Sequence, residues 1–498
     1  MRPCIAALDV GTTSVKACVF TPEMELIACR VQEYALDTRG GRVEARPETY
    51  LAAARDAMRA ALAAAPGCRP GALGLTTQGE TMVPADARGE ALRPFLVWLD
   101  DRGGAQAAAL EARLGGQRFY ETTGLPQLSG ATPLAKAMWL LENEPDLMRR
   151  ADRLLLLEDY LLGRFTGRAV TEPAVQTSTG WYDIRRDRWW PEALETAGLP
   201  ARLLPECVPC GESVGPLVRE AAQLLGLPAG IPVAAGAMDQ TAAALAAGAA
   251  EPGVVTETTG TALVMAACTE TPAFPPEGRV TVYRHALPGR YLYLPIGNTA
   301  GMALRWFRDV CCPDLPAGGE GYAALDREAA AVPLGCEGVT FLPFLAGAPD
   351  QDECPGARGA FYGARLSTTR AHLARSVMES AAFMIRDFLA DLERLGCPAR
   401  EVRSLGGGAR SAVWLQMKAD ICGRAFRVPA CTEAAAQGAA LLAGWGSGLI
   451  ARGEVPPPRE AAAYAPTPAL AARAEAAYRR YRRLYAALKP LFSDETSQ

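Results

Sequence analysis

The first twenty residues alternate in a way that places two strands around a polar turn. Ile5–Val10 is an apolar run that ends beside Asp9; Gly11-Thr12-Thr13 breaks it, and Val15–Phe20 begins a second apolar run. Leu26–Gln32 reads as a third strand after the turn TPEME. From Pro47 to Ala65 the apolar positions take helical spacing, and Gly67 and Pro70 close that segment. The stretch GALGLTTQGETMVPAD predicts strand, polar knot, strand, and Arg102–Leu114 and Pro133–Asn143 predict helices. Ile231–Ala235 is a short buried-strand pattern, followed by a Gly turn and a helix opening near Asp239. At 254–265 the opening pattern returns as VVTETTGTALVM, two β-rich runs around a Thr-Gly-Thr turn. Val402–Leu405 predicts a strand that runs into three consecutive glycines and a helix over Ser411–Ile421. A Pro-rich loop precedes a closing helix with Thr467 as its N-cap and Pro468 at its first position. The pattern is α/β, and the echo between 7–20 and 254–265 divides it into two related halves, 1–248 and 249–498, with the boundary in AAGAAEPG.

Length supports that division, since 498 residues exceed what one hydrophobic core ordinarily serves. Charge narrows the partners. With 51 basic and 55 acidic residues the net charge is −4, which argues against nucleic acid and against a polybasic membrane contact, and favours a small-molecule substrate. The 14 cysteines have irregular spacing, with a single CxxC at Cys207 and Cys210, and only two histidines occur (His285 and His372). A His-based or zinc-finger metal site is therefore not expected, and the cysteines read as free thiols of a reducing compartment. The opening MRPCIAALDV enters a strand pattern directly, without an apolar leader, and no apolar stretch reaches membrane-spanning length without Gly, Pro or charge. The expected location is cytoplasmic.

The chemistry sits in the turns. A nucleoside triphosphate needs backbone N–H groups at close approach and small hydroxyls as further donors. Gly11-Thr12-Thr13 offers both, and so does Thr258-Thr259-Gly260-Thr261. A hairpin alone accounts for either glycine; the presence of one such loop per half is what points to phosphates. Neither is a GxxxxGK[ST] loop, and a strand rather than a helix follows each, unlike a dinucleotide-binding turn. Asp9 adjoins the first loop and is placed to hold Mg²⁺ directly or through water. The Gly406-Gly407-Gly408 cluster lets a flat ligand lie on the backbone beside a helix N-terminus. Asp239, following a buried strand and a Gly turn, is the candidate general base, and a role as helix cap is compatible with it. Gln78, Glu80, Trp98, Asp100 and Gln240 are the polar and aromatic candidates for a hydroxylated substrate, although in isolation each also reads as a solvated loop residue.

Together these segments resemble the FGGY carbohydrate kinases, a family that includes glycerol and xylulose kinases. The resemblance runs from about residue 4 to about residue 487 and rests on LDVGTTSVKA, TTQGET, VWLDDR, EDYLLGRFTG, AAGAMDQTAAALAAG, TTGTA, FLPFLAG, GAFYGARLSTTRAHLARSVMES and GGGARSAVWLQMKADICG, in that order. It implies two ribonuclease H-like (actin/hexokinase-type) α/β domains with a cleft, and ATP-dependent phosphorylation of a sugar or polyol hydroxyl. Residue by residue it implies Asp239 as catalytic base; Gly11, Thr12, Thr13 and Lys16 at the first phosphate loop; Gly260 and Thr261 at the second; Gly407, Gly408, Ala409 and Ser411 on the adenine side; Asp9 and Asp239 toward Mg²⁺; and Gln78, Glu80, Trp98, Asp100, Asp239 and Gln240 toward the acceptor. A homodimer is compatible with the family.

The acceptor signals are mixed. Gly79 stands where glycerol kinases carry Arg, and Ala131 where they carry an aromatic residue, while Glu80 and Gln240 match them. Loss of the Arg and the aromatic predicts a roomier site, hence a ketose or polyol of four or five carbons. Ala348 and Pro349 depart from the family's usual Glu-Arg pair, and Ala364, Ala131 and Ala137 from its two signatures. The alternatives are a glycerol kinase-like activity, a kinase for a signalling carbonyl compound, and a catalytically idle regulator. A chaperone- or filament-type ATPase on the same fold is disfavoured.

Overall fold

The computed structural model describes residues 2–349, 352 and 354–495. Two compact units emerge. The first comprises Met1–Ala250, Thr281–Leu292 and Glu433–Pro457; the second comprises the intervening Glu251–Val280 and Tyr293–Thr432, and Pro458–Gln498. The single boundary expected near residue 248 is thus close to the first crossing, but two later segments return to the first unit.

The first unit is organised by a six-stranded sheet. Its order is Ser213–Pro216, Pro232–Ala234, Cys68–Thr77, β1 (Arg2–Val10), β2 (Ser14–Phe20) and β3 (Leu26–Glu33). β1 pairs antiparallel with β2 and parallel with Cys68–Thr77. β1 is apolar on both faces from Cys4 to Leu8 because both are covered. Leu8, Val10, Leu73 and Val233 join Tyr50, Ala54 and Met58 of the helix Pro47–Ala63 in one core. The returning helix Ala434–Ser447 approaches Cys68–Thr77 so closely that a Cβ on Gly74 would lie on the Ala439 backbone; glycine is what permits this contact.

The second unit repeats the plan. Leu263–Thr269 pairs antiparallel with Val254–Thr259, which pairs parallel with Glu401–Leu405. Ala425–Pro429 follows in parallel, and Glu460–Tyr464 closes the edge antiparallel. In both sheets a hairpin is followed by two parallel strands and an antiparallel edge strand, so the echo between 7–20 and 254–265 extends to five strands of each sheet, six-stranded in one case and eight-stranded in the other. Phe344, Phe383, Ile421 and Tyr481 belong to a core of this unit. The closing helix spans Ala471–Glu495. Thr467 precedes only a short 3₁₀ turn, Pro468–Leu470, without a side-chain capping bond; its N–H donates to Asp420 instead. Among the described residues no helix is long and apolar enough to cross a membrane.

Candidate active site

In the first unit the turn after β1 is closed by Gly11 N–H donating to the Ser14 carbonyl at 3.0 Å, and the Tyr34 hydroxyl donates to the Gly11 carbonyl. The donors left for a ligand are at Thr12 and Thr13, of which Thr13 is exposed. Asp9 lies one pair below the turn, opposite Lys16 on β2 and Thr76 on the parallel strand. Burial raises its pKa to about 6 against the lowering charge of Lys16. Lys16 itself is engaged: its Nζ donates to Glu433 Oε2 at 2.8 Å. The lysine expected beside the phosphates is thus neutralised by a carboxylate 417 positions away, at the start of the returning helix.

Asp239 is set by the loop preceding it. The Gly236 N–H donates to Glu158 Oε1 at 2.7 Å, and Thr76 Oγ1 donates to the Ala237 carbonyl at 2.7 Å. Asp239 is the first residue of the helix Asp239–Ala246, with Met238 in the cap position, so the expected cap role falls one residue earlier. Its Oδ1 accepts the Gln240 N–H at 2.6 Å, which orients the carboxylate, and the residue is partly exposed. Burial, and then the nearby charges of Asp9 and Glu80, raise its pKa to about 7; the Gln240 N–H works the other way. A carboxylate balanced near neutrality suits a general base. Two carboxylates, of which Asp9 raises the proton affinity of Asp239, are also a donor set for a divalent cation, because Mg²⁺ commonly takes one or two carboxylates and completes its shell with phosphate and water. Among the described residues no cluster of three or more His, Cys, Asp or Glu forms a metal site.

Glu80 stands beside this pair in a left-handed backbone conformation, φ +52°, a strain of the kind concentrated at functional sites. Its Oε1 accepts from the Tyr283 hydroxyl at 3.4 Å, and the fully buried Lys136 donates to its carbonyl at 3.3 Å and to the Val97 carbonyl at 2.8 Å. Burial raises the Glu80 pKa and lowers that of Lys136 to about 8. Gln78 is buried, its Nε2 donates to the Tyr50 hydroxyl at 3.3 Å, and its Oε1 has no protein partner. An orphaned buried acceptor of this kind fits a ligand hydroxyl. Trp98 is exposed and its indole donates to Thr12 Oγ1 at 2.8 Å, tying the VWLDDR segment to the first turn. Asp100 differs: it is fully buried, with both oxygens taken by Arg102 and by the Val43 N–H at 2.6 Å. Burial opposes its charge, but these bonds hold its pKa below the usual value. Asp100 therefore supports the loop and has no oxygen left for an acceptor. Gly79 also departs from expectation. A Cβ there would sit 3.0 Å from Met238 Sδ and from Ser178 Oγ, so these two residues fill the space that the missing Arg was expected to open.

In the second unit Gly260, Thr261, Gly407, Gly408 and Ser411 line one cavity of about 500 Å³, together with Gly301, Asp326 and Trp414. The second turn closes as the first does, Gly260 N–H to the Ala262 carbonyl at 3.0 Å. The Thr261 carbonyl accepts from Ala300 and Met302, which seats the turn on the start of the helix Gly301–Cys311. Ser411 Oγ caps the helix Ala412–Cys422 by accepting the Trp414 N–H at 3.0 Å. Ala409 is not among the lining residues; its N–H turns back to the Gly406 carbonyl.

Sequence reasoning missed Lys136, Tyr283, Ser178 and Glu158. Lys136 had a signal, a lone charge in the apolar run PLAKAMWLL. Tyr283 and Ser178 had none, since tertiary packing alone brings them to Glu80. Glu158 is fully buried, its Oε2 has no partner, and burial followed by the charge of Glu172 raises its pKa well above the ordinary value. A prediction follows for Glu158→Gln, whose amide oxygen can still accept from Gly236. Because the folded pKa is raised, the wild-type contribution is complete below the unfolded value and is lost as pH rises toward the folded one, at about 1.4 kcal/mol per pH unit. Unfolding at pH 5, 6.5 and 8 is expected to show the stability difference moving steadily in favour of Gln. Parallel profiles would show that Glu158 is ionised in the fold. The 14 cysteines are free thiols, and Cys210 Sγ lies 2.9 Å from Glu172 Oε2.

The comparisons agree with this architecture. Residues 4–246 match the model of the N-terminal domain, and residues 255–447 that of the C-terminal domain, of the FGGY family of carbohydrate kinases. A glycerol kinase of Thermus brockianus is 35% identical, over 96% of this chain and 97% of its own. A xylulose kinase of Escherichia coli (strain K12) is 30% identical, over 84% of each chain. The crystal structure of xylulose kinase from Rhodospirillum rubrum superposes with a TM-score of 0.89 at 30% identity, covering 98% of this chain and 100% of that one. The chain belongs to the FGGY family of carbohydrate kinases. It is an ATP-dependent kinase acting on a sugar or polyol.

Proposed function

We propose that the chain transfers the γ-phosphoryl group of ATP to a hydroxyl of a four- or five-carbon ketose or polyol, with Asp239 as general base. The observation that carries the reading is the Asp239 carboxylate, oriented through Oδ1, partly accessible and balanced near pH 7 beside Asp9 and Glu80. Gln78 Oε1 and the Glu80 carboxylate are the acceptors for substrate hydroxyls, and Trp98 supplies an apolar wall. Such a site rejects an analogue lacking the hydroxyl, because its buried acceptors are then left unpaired. Asp239 Oδ2 takes the proton of the attacking hydroxyl. In the second unit Gly260–Thr261 and the Gly407–Gly408 turn hold the nucleotide, and in the first unit Gly11–Thr13 offers backbone donors of the kind that phosphates take. Asp9 and Asp239 are the groups that would hold Mg²⁺, whose chemistry when bound is neutralisation of phosphate charge.

A glycerol kinase-like specificity is the second reading, favoured by Glu80, by Gln240 and by the 35% identity to the Thermus brockianus enzyme. The filling of the space at Gly79 by Met238 and Ser178 weakens the argument for a larger acceptor at that position. The xylulose kinase relatives and the small Ala131 support the larger acceptor. Ranking kcat/KM for D-xylulose, D-ribulose, erythritol and glycerol decides between them. A lead of about tenfold for a four- or five-carbon compound, roughly 1.4 kcal/mol of discrimination, supports the proposal; glycerol ahead of all others overturns it.

A further inference from the structure

We infer that Lys418 and Glu257, buried behind the cavity wall, are positioning residues that lock the second phosphate turn and the triple-glycine turn into one nucleotide cradle. The inference rests on the reading of the second-unit cavity as the nucleotide site.

The two turns leave the ends of neighbouring parallel strands, with Glu257 directly beside Ser404. Glu257 and Lys418 are both fully buried. Lys418 Nζ donates to Glu257 Oε1 at 2.8 Å and to Thr259 Oγ1 at 2.9 Å. The Thr259 hydroxyl donates to the same Glu257 oxygen, and Ser404 Oγ donates to Glu257 Oε2 at 2.7 Å. Each of the four side chains therefore has a partner inside the protein, and the Thr259 hydroxyl proton is used there although the residue borders the cavity. The glycine cluster rests on top: a Cβ on Gly408 would lie 2.6 Å from Thr259 Cβ and 3.3 Å from Lys418 Nζ. Lys418 also lies 5.0 Å from the centre of the Trp414 ring, and Trp414 lines the cavity.

A salt bridge this deep is weak evidence for stability, because desolvating two charges offsets much of their attraction. Its geometry has a different consequence. One ammonium touches the last residue of the strand feeding Gly260–Thr261, and its helix carries the Trp414 wall and the Ser411 cap. Displacing it shifts both turns relative to each other, and phosphoryl transfer is sensitive to displacements of that order.

The test uses the full chain and Mg²⁺ with a non-hydrolysable ATP analogue as probe, followed by calorimetry, alongside KM for ATP and for the acceptor. Thr259→Val keeps the ion pair and cuts the tie to the turn; Thr259→Ser retains the hydroxyl; Lys418→Met with Glu257→Gln removes both charges together. The expected result is nucleotide binding weakened about tenfold in T259V and in the double variant, with KM for the acceptor unchanged and T259S near wild type. If the double variant does not fold, the contrast between T259V and T259S decides. Folded variants that bind the analogue as wild type does overturn the inference alone. A wild-type chain that binds no nucleotide overturns the reading of the cavity, and this inference with it.

Discussion

Replacing Asp239 by Asn is expected to lower kcat by about 10³-fold, within the range that a positioned base contributes, while the affinity for ATP analogues stays near wild type. The asparagine Oδ1 still accepts the Gln240 N–H, so the start of the helix is preserved. The Asn side chain has no proton acceptor of carboxylate strength at the position of Oδ2. Steady-state turnover and nucleotide titration on the same preparation separate the two effects. Turnover within a few-fold of wild type would remove Asp239 from the role of base, whatever the binding data show.

Gly236→Ala carries the largest expected structural effect. A Cβ at 236 would overlap the Leu75 carbonyl oxygen, lie 2.8 Å from the Leu75 carbonyl carbon and 3.0 Å from Glu158 Oε1. Neither backbone atom can rotate away, and the sheet strand holding Leu75 is paired on both sides. The expected cost is about 3 kcal/mol or more in urea unfolding, at the upper end for overpacking. Relief by moving the loop would displace Asp239 three residues on, so surviving folded protein should also lose kcat. Wild-type stability together with wild-type kcat would contradict this account of the loop.

What the sequence revealed and what it concealed follow from the range of the interactions. The two hairpins, the turn at 11–13 and the strand before Asp239 were legible because alternation and glycine act locally. The echo between 7–20 and 254–265 was legible for the same reason, and both stretches form antiparallel hairpins that start a parallel pairing. The return of 433–457 to the first unit was not, since Gly74 and Gly438 reveal a close helix contact only once their neighbours are known. The pairing of Lys16 with Glu433 was not legible, because it spans 417 residues. Asp100 looked available because nothing in VWLDDR announces that Arg102 and Val43 consume its oxygens. Nothing local in the sequence marks Glu158, Glu257 or Lys418 as buried; their burial, and with it their influence, is a property of tertiary packing alone.

The measurement that tests the central claim most directly is ADP release from Mg-ATP, with and without acceptor, over glycerol, erythritol, the pentitols, D- and L-xylulose, D- and L-ribulose and gluconate. The account predicts slow release with ATP alone and a strong rise with one four- or five-carbon ketose or polyol, a rise that D239N lowers about 10³-fold. Release that no acceptor stimulates, in protein that binds the nucleotide, would contradict it.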